Sequence, residues 1–309
     1  MGCVRLVPLR QRLPRRLRGR TRRDRTRLGR VLHRRVPQLT LLRTVAPPVI
    51  AFLAFVLIWQ VVAAAGLVPA DILPSPTRIA TSGAQESEAL LRHALPTLLA
   101  TITGFALSLT VAFGVATALD FSGPLRRALL PLLIMSQTLP LIALAPLVVL
   151  WFGFGLLPKI LLVAFVTFFP MVVGLLRGFA SADPEAEHLL RSMGASRLTV
   201  FRMLRLPAST PSFFSSLRIS ITYAVVGAIF AEYAGAVAGL GVYMQSAKHV
   251  FRTDLVLAAV LVSTILTLTL YGIVVLIERR CVPWLRLADD VEAETSSAPR
   301  TKRPVEVAR

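Results

Sequence analysis

Residues 255–277 read LVLAAVLVSTILTLTLYGIVVLI, 23 positions without a charge, and the run stops at Glu278-Arg279-Arg280. A helix needs about 20 apolar residues to cross the hydrocarbon core of a bilayer. This stretch meets that length and ends on charges, so it reads as a transmembrane helix. Working back toward the N-terminus, five more stretches of the same kind appear. Ile219 to Ala238 holds one charge, Glu232. Ile160 to Leu176 is short and lies between Lys159 and Arg177. Ala128 to Leu150 is uncharged but contains Pro131, Pro140 and Pro146. Leu95 to Leu119 is closed by Asp120, and Pro47 to Val68 carries no charge. The fold class expected is therefore all-α: a polytopic membrane protein with six transmembrane helices and a structured loop between the fourth and fifth.

Composition agrees. The 309 residues are 55% hydrophobic and 17% charged, with mean hydropathy +0.68, whereas soluble domains carry about 25% charged residues. The net charge of +19 is concentrated at one end, since residues 1–43 hold fifteen Arg and one Asp. Such an arm can bind nucleic acid or anionic lipid. Directly before a transmembrane helix it reads more simply as a cytoplasmic anchor against membrane lipid, with no nucleic-acid partner expected. Part of it also reads as an extension from a misplaced start codon. It does not resemble a secretory signal, because the basic stretch and the apolar run after it are both too long.

The domain division expected is a disordered basic arm at 1–43, a transmembrane domain at 44–280 and a disordered tail at 281–309. Under the positive-inside rule, the internal loops hold eight Arg, including Arg126, Arg127, Arg177 and Arg218. The external segments hold five basic residues: Arg78, Arg92, Lys159, Lys248 and Arg252. Six spans then leave both termini in the cytoplasm.

Catalytic signatures are missing from the sequence. A phosphate-binding loop needs Gly-Lys followed by Ser or Thr, and none of Lys159, Lys248 and Lys302 follows a glycine. The four histidines and two cysteines have no metal-ligand spacing. The chain is expected to be no enzyme and to need no cofactor or metal.

The loop from Ser181 to Pro211 carries more information. Asp183-Pro184-Glu185-Ala186-Glu187 supplies a capping carboxylate, a proline at the first helical position and acids in the first turn. Glu187 and Arg191 lie four residues apart in the favourable order. Gly194 can end this helix in a left-handed conformation. Ser196 can cap a second helix with apolar Leu198, Phe201 and Leu204, which Pro207 is expected to close. A loop of about 30 residues with caps and a stop is built to touch a partner.

Here a resemblance appears. Gly194, nine residues, Leu204, one residue and Leu206-Pro207 resemble part of the EAA signature of permease subunits of bacterial ATP-binding cassette (ABC) importers. Leu73-Pro74-Ser75-Pro76, Gln137-Thr138-Leu139-Pro140-Leu141-Ile142-Ala143-Leu144-Ala145-Pro146, Trp151-Phe152-Gly153-Phe154-Gly155, Met193-Gly194-Ala195-Ser196 and Gly239-Leu240-Gly241 extend it over roughly residues 47–280. They resemble the branch that moves nitrate, sulfonates, taurine and thiamine precursors. The run Ser136–Ile160 and residues 189–196 look most like permeases for the pyrimidine precursor of thiamine. His188-Leu189-Leu190 stand where the family has Glu-Ala-Ala.

The resemblance implies that Glu185, Glu187, His188, Arg191, Gly194, Ala195, Ser196, Leu204, Leu206 and Pro207 form a coupling loop. That loop would seat in a separate ABC ATPase subunit. An extracytoplasmic solute-binding protein and a second permease copy, as a homodimer, are the other implied partners, and the cytoplasmic membrane is the implied location.

Prolines free backbone carbonyls in a membrane helix where a cavity or neighbour can satisfy them, so Pro140 and Pro146 are candidates for the translocation path. Glu232, the only acid within a predicted span, is a third, with a structural or gating role preferred over substrate contact. Gly174-x-x-x-Gly178 and Gly235-x-x-x-Gly239 permit close helix approach. The rival reading is an ATP-independent secondary transporter or channel, which the lone intramembrane charge disfavours.

Overall fold

The computed structural model describes residues 37–66 and 68–282, with side chains from Ala46 onward. The basic arm before Pro37 and the tail after Val282 lie outside the described residues. The first helix, α1 (Pro37–Ala64), begins inside the stretch assigned from sequence to the arm and carries Pro47 and Pro48. Its described residues up to Val61 belong to a compact unit of their own. The remainder is a second unit, all helical among the described residues: α2 (Pro76–Gln85), α3 (Ser87–Phe121), α4 (Gly123–Ser136), α5 (Leu141–Phe152), α6 (Leu156–Ala180), α7 (Pro184–Ser192), α8 (Arg197–Val200), a π-turn at Phe201–Arg205, α9 (Leu206–Gly235), α10 (Leu240–His249) and α11 (Thr253–Cys281).

Among the described residues, five helical stretches are long and apolar enough to cross a membrane: residues 46–64, α3, α6, α8 through α9, and α11. The sixth predicted span departs from expectation. Instead of one kinked helix, α4 and α5 meet at 99°. Gln137 to Pro140 separate them, and Pro140 is the residue that opens α5. A proline cannot donate to the preceding turn, and it disfavours helical geometry in the residue before it. The chain breaks where Leu139 precedes Pro140.

Helix α6 is the centre of the second unit, with α3 on one side and α9 on the other. Lipid tails are as apolar as leucine, so helices in a membrane associate through close packing of small residues rather than through the hydrophobic effect. The buried stripe of α3 runs from Leu90 to Leu119, and between them it consists of small residues, Ala94, Thr97, Ala100, Thr101, Gly104, Ser108, Ala112 and Ala116, along one face. A Cβ at Gly104 would sit 2.6 Å from Val163 Cβ and 2.8 Å from the Ile160 carbonyl of α6.

On the other side of α6, Gly174 lies against Ser216, and a Cβ at Gly178 would come within 2.7 Å of Ser209 Cβ. The first small-residue motif is thus the α6–α9 contact. In the second, Gly235 ends α9, where a Cβ would come within 3.2 Å of Val149 Cγ1 of α5, while Gly239 lies in the loop before α10, the two glycines having φ of +146° and +144°. Helix α11 packs on α9, α10 and α2, and α5 packs on α6 and α9 through Ala145, Leu162 and Ala231.

Candidate functional site

The loop between α6 and α9 folds from local signals. Asp183 caps α7, its Oδ1 accepting from the Glu185 amide at 2.9 Å, and Pro184 follows. After Ser192, Gly194 takes φ +83°. The Gly194 amide then donates to Arg191 O at 2.9 Å and the Ala195 amide to Leu190 O at 3.0 Å. This left-handed closure satisfies carbonyls that the helix end would otherwise leave free. Ser196 Oγ accepts from the Thr199 amide at 3.2 Å and so caps α8.

The second helix does not stop at Pro207. The chain passes from α8 through the π-turn directly into α9, where Pro207 occupies the first turn. In α geometry the Pro207 ring would clash with the Met203 carbonyl. The widened turn removes that conflict, with the Leu206 amide donating to Phe201 O five residues back. The second short helix and the following span are thus one continuous rod.

Burial sorts the residues of this element. Glu185, His188, Ser196 and Pro207 are exposed, and Ala195, Leu204 and Leu206 are half-buried. Leu206 packs on the main core. Phe201 is buried between Phe121 at the end of α3 and Phe179 at the end of α6, each ring centroid 5.2 Å away. Leu189, Met193, Leu198 and Met203 are 49–76% exposed, an apolar group on an element outside the bundle core.

Glu187 accepts from Arg191 Nη2 at 2.6 Å and from Arg205 Nη2 at 3.0 Å. The Arg205 guanidinium, with Arg191 adding to it, holds the Glu187 carboxyl below the ordinary glutamate range. Arg205 Nη1 also donates to both Asp120 oxygens, at 2.8 and 2.7 Å.

A second polar cluster occupies the opposite end of the bundle. Glu232, 1% exposed, accepts from Thr97 Oγ1 at 2.9 Å, from Lys159 Nζ at 3.2 Å and from the Gly241 amide at 2.9 Å. Thr97 Oγ1 in turn accepts from the Leu240 amide at 2.9 Å, and Lys159 also donates to the Ala238 carbonyl. His93 Nδ1 faces the Gly239 backbone, 3.0 Å from its O and 3.2 Å from its N.

The carboxylate therefore sits at the N-terminus of α10, where free amides and the helix dipole favour a negative charge. A Cβ at Gly239 would overlap that carboxylate, which leaves glycine as the fitting residue. Lys159 corrects the sequence reading. Assigned there to an external loop, it lies inside α6, and at 5% exposure it is the counter-charge of Glu232. The intramembrane charge is not alone.

Between these ends, the α4–α5 break opens on a cavity of about 410 Å³ lined by Ser136, Gln137, Leu139, Phe165, Phe169 and Tyr223 among others, none of them charged. Leu139 and Leu141 flank Pro140 on its wall. Pro140, Pro146 and Glu232 are not among the residues that line it. A neighbouring cavity of about 480 Å³ shares Gln137 and Phe169 and adds Arg126 and Arg177. Sequence reasoning missed Lys159 as a partner of Glu232, and the pairings of Thr97, His93 and Asp120. Each lies 70 or more residues from the group it meets.

A bundle of membrane helices with a broken span, an open pocket beside that break and a projecting two-helix element defines a transport permease. Residues 110–282 match the family described as binding-protein-dependent transport system inner membrane component. The chain is 34% identical over 238 residues to the formylaminopyrimidine transport permease ThiX of Halalkalibacterium halodurans, covering 77% of this chain and 95% of that one. It is 34% identical over 237 residues to the riboflavin transport system permease RibX of Chloroflexus aurantiacus, covering 76% and 88%. In fold it is similar to a chain of the MetNI methionine ABC transporter in an inward-facing conformation, with TM-score 0.56 at 17% identity, over 62% of this chain and 95% of that one. The chain belongs to the binding-protein-dependent inner-membrane transport family and is a multi-pass permease subunit of an ABC importer.

Proposed function

We propose that α7, Gly194 and α8 form the surface that receives a separate ATPase subunit, that the α7 end of the bundle faces the cytoplasm together with both termini, and that the permease works as a homodimer fed by an external solute-binding protein. The observation that carries the reading is the form of this element. It has two capped helices and exposed Leu189, Met193, Leu198 and Met203, and it runs without a stop into α9. Exposed apolar groups rimmed by charges mark interaction sites. A rigid rod rather than a tether suits a lever moved by ATP-driven closure. The chain supplies no phosphate-binding loop and on this reading hydrolyses no ATP itself.

The cargo is a neutral nitrogen heterocycle of the pyrimidine class. Two relatives named for formylaminopyrimidine and riboflavin transport support this. So does the uncharged, aromatic wall of the cavity, where Phe165, Phe169 and Tyr223 offer ring faces and Gln137 offers an amide donor and acceptor. Sulfonate, taurine or nitrate would instead call on Arg126 and Arg177 in the adjoining cavity. Uptake by the assembled system, competed by an aminopyrimidine but not by taurine, distinguishes the two.

A cysteine at Ser196 should crosslink to the ATPase, and one at Ser87, at the start of α3 on the opposite end, should not. Uptake that persists after the ATPase is inactivated would reject the coupled mechanism.

A further inference from the structure

Helix α7 is weakly attached to the rest of the chain. None of its residues is buried, its appreciable helix packing is on α8 alone, and it reaches α8 through the left-handed turn at Gly194. Helix packing therefore holds it only weakly. Besides the three-residue link to α6, what ties it to the bundle is Arg205. The guanidinium donates to Glu187 of α7 through Nε at 3.3 Å and Nη2 at 3.0 Å. It donates to Asp120, in the last turn of α3, through Nη1.

The Asp120 and Glu187 side chains are 10% and 18% exposed and that of Arg205 26%, so the three-way bridge is largely out of water. Forked, partly buried pairs of this kind are stronger and more directional than surface ion pairs. Arg205 itself closes the π-turn that Pro207 requires, and Phe201, four residues earlier, wedges between α3 and α6.

We propose that Arg205 is the positioning residue through which a displacement of α7 reaches α3. The proposal rests on the reading of α7–α8 as the ATPase-docking element. Helix α9 follows α8 by covalent continuity. Helix α3 has no covalent connection to α7, and the polar route to it runs in series, α7 to Glu187 to Arg205 to Asp120. An α7 movement then shifts α3 and α9 together against the α6 between them. Without the bridge α3 is left with the Phe201–Phe121 contact and its packing on α6, and less of the shift reaches it.

A series link has a signature that independent supports lack: breaking it twice costs no more than breaking it once. The test uses the assembled permease–ATPase complex in lipid, with the aminopyrimidine as cargo and substrate moved per ATP hydrolysed as the readout. Asp120→Asn and Glu187→Gln should each lower that ratio by roughly two- to thirtyfold, the span seen for residues that carry coupling between sites. ATP hydrolysis should continue in both. The double variant should match the worse single one. Arg205→Lys should fall between, since an ammonium cannot hold two carboxylates in a forked geometry.

Effects that multiply in the double variant, or an unchanged ratio in both single variants, would overturn the proposal. Loss of the folded chain from the membrane in both would also overturn it, by making the bridge one of stability. Failure of the Ser196 cysteine to crosslink in the unmodified complex would reject the docking reading instead. A normal crosslink with unchanged coupling in the variants rejects the role of Arg205 alone.

Discussion

Replacing Lys159 with methionine is the sharpest perturbation of the buried charge cluster. The change keeps side-chain length and removes the ammonium 3.2 Å from Glu232 Oε1. It leaves a carboxylate that is 1% exposed with the Thr97 hydroxyl and the Gly241 amide as its remaining partners. Removing one member of a buried pair costs about 3–5 kcal/mol, because the other charge stays desolvated. Lys159→Met combined with Glu232→Gln removes both charges. The oxygen of the introduced side-chain amide can still accept from Thr97 or Gly241. The double variant should therefore cost only about 1–2 kcal/mol, the value of imperfectly replaced hydrogen bonds.

For a domain of this size 1 kcal/mol corresponds to about 2–4 °C in Tm. The single variant should lose roughly 6–20 °C and the double roughly 2–8 °C on the same scale. Thermal unfolding in a mild detergent, followed by loss of helicity and by exposure of a cysteine placed at Ala247 of α10, measures both. A double variant less stable than the single one would refute the assignment of Lys159 as the counter-charge. So would a single variant that melts within about 3 °C of the parent.

Gly194→Val should abolish uptake while leaving membrane insertion intact. No atom lies within 4 Å of the added Cβ, so the penalty is the left-handed backbone alone, about 1–2 kcal/mol, and Gly194→Asn should retain more transport. Cysteines at Ser87 and Ser196 should react with an impermeant reagent from opposite sides of the membrane, Ser87 from outside, and labelling from one side would defeat the six-span topology. The Glu187 carboxyl is held below its ordinary value of 4.5, so its tie to Arg205 is fully present above that pH and is lost as pH falls through the lowered value. Spin labels at Glu185 and Ser122 should keep a narrow distance distribution between about pH 6 and 8, and broadening within that range would contradict the sign. The purified chain should hydrolyse no ATP, and with its ATPase it should assemble as two permease and two ATPase chains; any other stoichiometry would contradict the C2 homodimer.

Much of this architecture was legible in the sequence because a bilayer acts on local composition. Any backbone within hydrocarbon must satisfy its own hydrogen bonds, so a run such as 255–277 has few alternatives to a helix. The caps at Asp183 and Ser196 and the turn at Gly194 were equally legible, since each bonds to atoms within five residues.

Local rules failed where neighbours in space changed the outcome. Pro207 reads as a stop, yet a π-turn accommodates it and the helix continues. Pro140 reads as a kink, yet α4 and α5 part at 99°. The two charge clusters were out of reach altogether. Lys159 and Glu232 are 73 positions apart, and Asp120 and Arg205 are 85. Nothing in either partner's own segment says which helix ends will meet, because that is decided by how the small-residue faces of α3, α6 and α9 pack. Sequence alone determined the spans, the caps and the family's motifs, while packing alone decided which charges are buried together.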